Sequence, residues 1–509
     1  MLGGELGNSS ASTLSYMKPI WPRVAAFNVN TVLAPVYWDL IEPVEGRYDF
    51  SLVDGMIGQA RESNLKLVLL WFASWKNSMS CYAPVWVKTD PQRFPRAQRP
   101  DGRGMEILSP FSETNRDADA RAFATLMRHL REIDGEQHTV VMVQVENEIG
   151  MIPEARDHSD AADELYAGPV PRELMDYLQQ HRDALIPEFA ERWRAAGGKA
   201  EGTWDQVFGQ GPHTEEIFMA WHYARYVEYV TGLGKQEYPL PMFVNAALIR
   251  PDYLPGRYPS AGPLPHLMDV WRAGAPSIDF LAPDIYFPNF TEWCRKYDRS
   301  GNPLFIPEAY RDARNAAAVF FAVGQHNAMG FCPFSIEDVA AVEDHSLRVA
   351  YDVLDQLTAL ILEHQGGDTI AGALPVTAFD GTRDLTPQQI PLGDFTLTVS
   401  FLLPDIPPEQ NQDIHRGPET DEPIAGGLMI ALAPDEFVIA GTNLIITFEP
   451  NSPGPKMAGI AGIQEGHYDE QGEWVVTRHM NGDQSHQGRH LRLPSHTFGI
   501  QRIRLYRYD

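Results

Sequence analysis

Short apolar runs alternate with amphipathic stretches through roughly the first 365 residues of the chain. The runs cover residues 2–6, 31–38, 66–72, 139–146, 241–246, 279–286, 304–308 and 330–336. Between them, apolar residues recur at helical spacing over 51–63, 115–133, 217–233, 311–323 and 338–364. Continuous apolar runs separated by helices predict a parallel sheet covered on both faces, and eight such strands close a barrel. The pattern therefore predicts an α/β fold, a (β/α)8 TIM barrel over residues 1–366.

After Gly366-Gly367 the period changes. Segments 395–402, 427–432, 436–440, 444–448, 474–478 and 500–508 alternate or are β-branched, with turn residues between them. They predict an all-β, sandwich-like domain over 367–509. Its acidic stretch 404–423 reads as a mobile loop. The apolar strands must bury one face, and the barrel's outer helices are the nearest surface, so the tail is expected to pack on the barrel. The connections around 152–171 and 250–265 are long and rich in Pro and Gly. They follow the fourth and fifth strands, where loops build the active face of a barrel.

Charge narrows the partners. The chain carries 41 Lys and Arg against 68 Asp and Glu, a net −27. That balance argues against nucleic acid and against an anionic membrane surface, and suits a neutral substrate. The longest uncharged stretch, 315–336, contains Gln325, His326, Asn327 and Pro333 and reads as helix, turn and buried strand, not a membrane span. Three cysteines, Cys81, Cys294 and Cys332, make neither a disulfide framework nor a metal motif. No signal peptide is visible, and the chain opens on an apparent core strand. The expected location is periplasmic or secreted if a leader was lost, and cytoplasmic otherwise. A homo-oligomer stays open.

The chemistry sits at two strand ends. The fourth run ends Gln144-Val145-Glu146-Asn147-Glu148-Ile149-Gly150 and the seventh ends Phe305-Ile306-Pro307-Glu308-Ala309-Tyr310. A lone Glu there would read as a solvated strand end or an ion-pair partner. One carboxylate from strand four facing one from strand seven at a barrel mouth is instead a two-carboxylate glycosidase site.

The Gln144–Gly150 motif closely resembles the acid/base motif of glycoside hydrolase family 35 β-galactosidases. Residues 30–38, followed by Glu42-Pro43, Gly46 and Tyr48-Asp49-Phe50, are similar to families 35 and 42. The barrel resembles clan A, and the tail resembles a β-domain of unknown function attached to a bacterial branch of these enzymes. The resemblance implies that Glu148 is the acid/base, Asn147 the amide that bonds the sugar 2-hydroxyl, and Glu308 the nucleophile. It also departs from the family pattern. Pro35 stands where family 35 usually has Tyr, and Trp71-Phe72-Ala73-Ser74-Trp75-Lys76-Asn77 replaces the usual Ala-Glu-Trp loop.

Trp75, Lys76 and Asn77 read either as a new subsite wall, an aromatic face with two donors, or as a Trp packed under the loop beside an exposed Lys. Glu5, at the end of the first strand, is a sugar contact or a buried ion-pair partner. Tyr286 ends the sixth strand, where clan A enzymes often keep a Tyr hydrogen-bonded to the nucleophile. Glu146 is expected to orient Glu148, bind a hydroxyl or form a rim salt bridge. Asn245 ends the fifth strand as a weaker substrate-binding candidate, and Glu337 follows the eighth as a sugar ligand or part of a helix start. His486, His490 and His496 lie in a polar loop without a metal-ligand pattern, so no metal is expected.

These residues point to a retaining exo-β-glycosidase, most simply a β-galactosidase acting on an oligo- or polysaccharide without a cofactor. The carboxyl groups of Glu148 and Glu308 should then lie about 5–5.5 Å apart. Two rivals stand beside it: a retaining enzyme for a gluco-, fuco- or arabino-configured sugar, which the altered third-strand loop permits, and a catalytically silent carbohydrate-binding barrel.

Overall fold

The computed structural model describes residues 1–401, 424–495 and 497–509. The loop expected over 404–423, the end of the 395–402 segment and His496 lie outside the described residues.

Eight parallel strand positions follow one another around a barrel. They are β1 (Gly3–Glu5), β2 (Thr31–Tyr37), β3 (Lys66–Lys76), β4 (Val140–Asn147), β5 (Met242–Ala247), β6 (Phe280–Ile285), β7 (Phe305–Ile306 and Glu308–Ala309) and β8 (Gly330–Phe331). Pro307 splits β7, since proline has no N–H to give the ladder. The half before it pairs with β8 and the half after it with β6. Single bridges from Leu2 to Phe331 and from Glu5 to Phe334 return β8 to β1. The Glu5 N–H donates to the Pro333 carbonyl at 2.9 Å and completes the closure.

The barrel floor is aromatic. Phe243 stacks on Phe280 at 5.1 Å between ring centroids, and Phe305 stands edge-on to both. These rings sit at the starts of β5, β6 and β7 and fill the interior, so function is confined to the opposite, C-terminal rim.

In the barrel, β3 and the last helix depart from the sequence pattern. β3 runs on to Lys76, beyond the expected end at Phe72, and the ladder slips between Trp71 and Lys76 so that Lys76 pairs with Asn147. The helix expected over 338–364 is broken: Ser346–Gln356 and Thr358–His364 are separate helices, and the first is capped by His345. Polar residues Glu343 and Asp344 precede that cap and cannot contribute to an apolar stripe.

The long loops after β4 and β5 meet over the rim. Met151 and Ser260 exchange backbone hydrogen bonds at 2.8 and 3.0 Å. Gly150 permits this approach, because a Cβ there would lie 2.7 Å from the Pro259 carbonyl carbon.

The tail forms two larger antiparallel sheets and a two-stranded ribbon that pairs Val376–Thr377 with Arg383–Asp384. Six strands run in the order Ile370–Ala373, Gly426–Ala433, Glu436–Thr442, Gly499–Tyr508, Met457–Tyr468 and Trp474–His479. Four more run Gln388–Leu392, Phe395–Phe401, Leu444–Pro450 and Leu491–Arg492. Alternate residues such as Leu397, Val399, Met429, Ile439, Ile446 and Ile503 fill the core between them.

The outer face of the larger sheet lies on the Ala313–His326 helix, which follows β7. Phe320 stacks on Phe498 at 5.3 Å. Gly324 brings the helix so close that a Cβ would meet the Ala371 carbonyl oxygen at 2.6 Å and Leu428 Cβ at 2.9 Å. Among the described residues no helix is long and apolar enough to cross a membrane.

Candidate active site

Four strand ends and one loop bring carboxylates to a single point on the rim. One carboxylate oxygen from each of Glu148, Asp284 and Glu308 lies within 4.8 Å of the others, and all three side chains are buried. Tyr286 donates its hydroxyl to Glu308 Oε2 at 2.7 Å. Asn147 donates to Glu308 Oε1 at 3.3 Å, and Asn245 approaches the same oxygen at 3.5 Å. Glu308 is thus held from both sides, and its orientation is fixed by β4, β5 and β6.

Glu148 follows β4 in a left-handed backbone conformation, φ 44°, and Glu146, within β4, is left-handed too at φ 61°. That region is sparsely populated by residues other than glycine and must be held by its surroundings. Asn245 Oδ1 accepts the Glu148 N–H at 3.0 Å. On the other side, the extension of β3 reaches across: the N–H groups of Asn77 and Ser78 donate to the carbonyls of Asn147 and Glu148, each at 3.2 Å. The Asn77 side-chain amide donates to Glu148 Oε2, and the Lys76 ammonium donates to Asn77 Oδ1.

Burial and the neighbouring Glu308 charge push the Glu148 carboxyl up to about 7, although Lys76 and hydrogen bonds from Asp284 and Asn77 draw it back down. Such a group holds its proton near neutral pH and releases it readily, as a general acid must. Asp284, which accepts from Asn245 at 2.7 Å, is pushed well above the carboxylate range by burial and by Glu308 and Glu148.

Two further carboxyls look into the mouth. Glu5 is fully buried and neither of its oxygens has a hydrogen-bond partner. Burial, then the Glu308 charge, pushes its pKa well up. Glu337 accepts the Gly7 N–H at 2.8 Å and the Ser10 hydroxyl through Oε1, while Oε2 is buried without a partner. A buried acceptor left unpaired costs about 1–3 kcal/mol, a cost that a ligand hydroxyl would remove.

The comparisons with known proteins bear on this half of the chain. Residues 18–227 match the glycoside hydrolase 42 family model, described as Beta-galactosidase. The matched stretch takes in β2, β3 and β4 and includes Glu148. Residues 347–492 match a model described as a domain of unknown function (DUF5597). No curated protein matches the chain.

Similar solved structures include the cold-adapted β-galactosidase from Rahnella sp. R3, at 16% identity and TM-score 0.48, covering 71% of this chain and 57% of that one. The β-galactosidase from Bacillus circulans sp. alkalophilus is 15% identical at TM-score 0.49, with 71% and 57% covered. The catalytic domain of a Paenibacillus polymyxa β-amylase is 11% identical at TM-score 0.49, with 67% and 94% covered. The chain thus spans less than two thirds of the length of these β-galactosidases.

Of the residues singled out from sequence, the rim gathers Glu5, Lys76, Asn77, Asn147, Glu148, Asn245, Tyr286, Glu308 and Glu337. Two stand elsewhere. Trp75 is fully buried behind β3, edge-on to Tyr223 and Tyr226 of the Pro212–Glu237 helix, with its Nε1 donating to Leu108. It is no subsite wall. Glu146 is likewise turned into the layer between sheet and helix, where it accepts the Trp75 N–H at 2.7 Å and faces Asp119. Burial and Asp119 push its pKa well up, and its side chain is paired with the Trp75 backbone rather than with a rim cation. Its left-handed backbone interrupts the strand alternation that would have put it beside Glu148.

One rim residue escaped sequence reading: Asp284. It stands two positions before Tyr286, and successive odd or even residues of a strand share a face. That spacing was the available signal.

Proposed function

We propose that the chain is a retaining exo-β-glycosidase of the β-galactosidase type, with residues 1–366 as its catalytic barrel and 367–509 as an attached β-domain. The observation that carries this reading is the approach of the Glu148 and Glu308 carboxylates, with oxygens within 4.8 Å. Double displacement needs carboxyl groups about 5–5.5 Å apart, whereas an inverting site opens to roughly 6.5–9.5 Å to admit a water.

In the first step Glu308 forms a bond to the anomeric carbon as the glycosidic bond breaks, and Glu148 gives its proton to the departing oxygen. Glu148 then takes a proton from a water whose oxygen attacks the same carbon and releases Glu308. Tyr286 and Asn147 hold Glu308 in line, and the unpaired oxygen of Asn147 is available to the sugar. Glu5 and Glu337 offer acceptors to hydroxyls of the bound sugar, and Lys76 and Asn77 border the acid. The Gln144–Gly150 motif favours family 35 within this group. The family match includes Glu148 but stops before Glu308, so the nucleophile rests on geometry.

A second reading, a retaining enzyme for another sugar, is supported by the third-strand stretch ending in Lys76-Asn77. A panel of nitrophenyl β-glycosides, with the anomer of the first-formed product read by NMR, tests both. A first-formed α-anomer would defeat the retaining mechanism. Inactivity on every β-glycoside would leave a silent sugar-binding barrel.

A further inference from the structure

A cavity of about 550 Å³ lies between the loops that follow β6 and β7 and the β-rich tail. Small-molecule sites span roughly 300–1,000 Å³, so it has room for a bound ligand. Tyr286, Phe287, Tyr310 and Asn315 line it from the barrel, and Thr377 and Arg383 from the tail. Tyr286 belongs to both places, because the ring that lines the cavity carries the hydroxyl bonded to Glu308. Tyr310 stands edge-on to it, 5.0 Å between centroids, and is 54% exposed. Aromatic rings beside fixed polar groups suit a sugar, whose C–H face packs on a ring while its hydroxyls bond the rim.

We propose that this cavity receives the leaving-group sugars of an oligosaccharide, so that the β-rich tail supplies one wall of the substrate cleft. The inference rests on the glycosidase reading above. A chain cut from its non-reducing end has further sugars on only one side of the broken bond. On that reading the terminal sugar sits among the carboxyls of Glu5, Glu148, Glu308 and Glu337, which are all buried at the rim. Space that opens beyond Tyr286 therefore belongs to the other side. The tail's contribution is direct, since Thr377 and Arg383 face the same space as Tyr310.

The test compares two substrates in the full-length chain: a nitrophenyl glycoside and a trisaccharide bearing the same terminal sugar. Two variants change the cavity from opposite walls. Tyr310→Ala removes an exposed ring, and Thr377→Trp fills the space from the tail. Unfolding midpoints confirm that both variants fold. We expect the ratio of kcat/KM for the trisaccharide to that for the nitrophenyl glycoside to fall about tenfold in each variant, with the loss appearing in KM. An unchanged ratio in both, a parallel loss on the two substrates, or an active enzyme that cleaves no oligosaccharide overturns the assignment. If the unaltered chain cleaves no glycoside at all, the glycosidase reading falls and takes this one with it.

Discussion

Asn245 accepts the backbone N–H of Glu148 at 3.0 Å and so holds the acid/base candidate in a left-handed conformation that its residue type disfavours. The same side chain gives its amide to Asp284. Asn245→Ala would orphan a buried N–H at a cost of about 1–3 kcal/mol and release Glu148 from its position. A lowered unfolding midpoint together with reduced kcat is expected. Unchanged kcat would show that Glu148 is held by other contacts.

The two carboxylates should fail differently when removed. Glu308→Ala is expected to abolish turnover, with azide restoring cleavage and giving the inverted glycosyl azide. Glu148→Ala should spare dinitrophenyl glycosides, whose leaving group needs no proton, while losing unactivated disaccharides. Near-normal rates on a disaccharide in both variants would refute the assignment.

Activity should fall on the alkaline side of about pH 7, because Glu148 must carry a proton to donate it and its carboxyl is raised to about 7. Lys76 is the cation that draws this group down. Lys76→Met removes that pull, so the alkaline limb of the kcat/KM profile should move to higher pH. A shift to lower pH would mean that Lys76 acts on a different group.

The seam between barrel and tail is tightly closed at Gly324. Gly324→Val would press against the Ala371 carbonyl and Leu428, and overpacking of that kind costs about 1–3 kcal/mol. Deleting residues from about 370 onward would expose the face carrying Phe320, and insoluble protein is the expected result. A soluble, fully active truncated barrel would show the two parts to be separable.

The barrel was legible because buried parallel strands must be apolar on both faces, and each of the eight runs left that trace in the sequence. The extension of β3 left none. Ala73-Ser74-Trp75-Lys76 looks like a loop, and only pairing between Lys76 and Asn147 makes it a strand. In the tail, Met457–Tyr468 was missed because Gly459, Gly462 and Gly466 dilute its β-forming residues. At the site, strand-end position was enough to expect that Glu148 and Glu308 meet on one rim, as they do. The side to which Trp75 and Glu146 turn was not legible, since it depends on a register slip and on a positive φ that a glutamate does not announce.

The β-rich tail lies against the Ala313–His326 helix, and that helix begins four residues after the strand segment bearing Glu308. The tail is therefore anchored to the piece of chain that carries the candidate nucleophile. Anyone exchanging tails between related proteins would be replacing the far side of a fitted joint. A cut near residue 367 divides that joint, while a graft that carries β7 and its helix along with the tail preserves it. The natural unit of recombination here straddles the apparent border between barrel and β-domain.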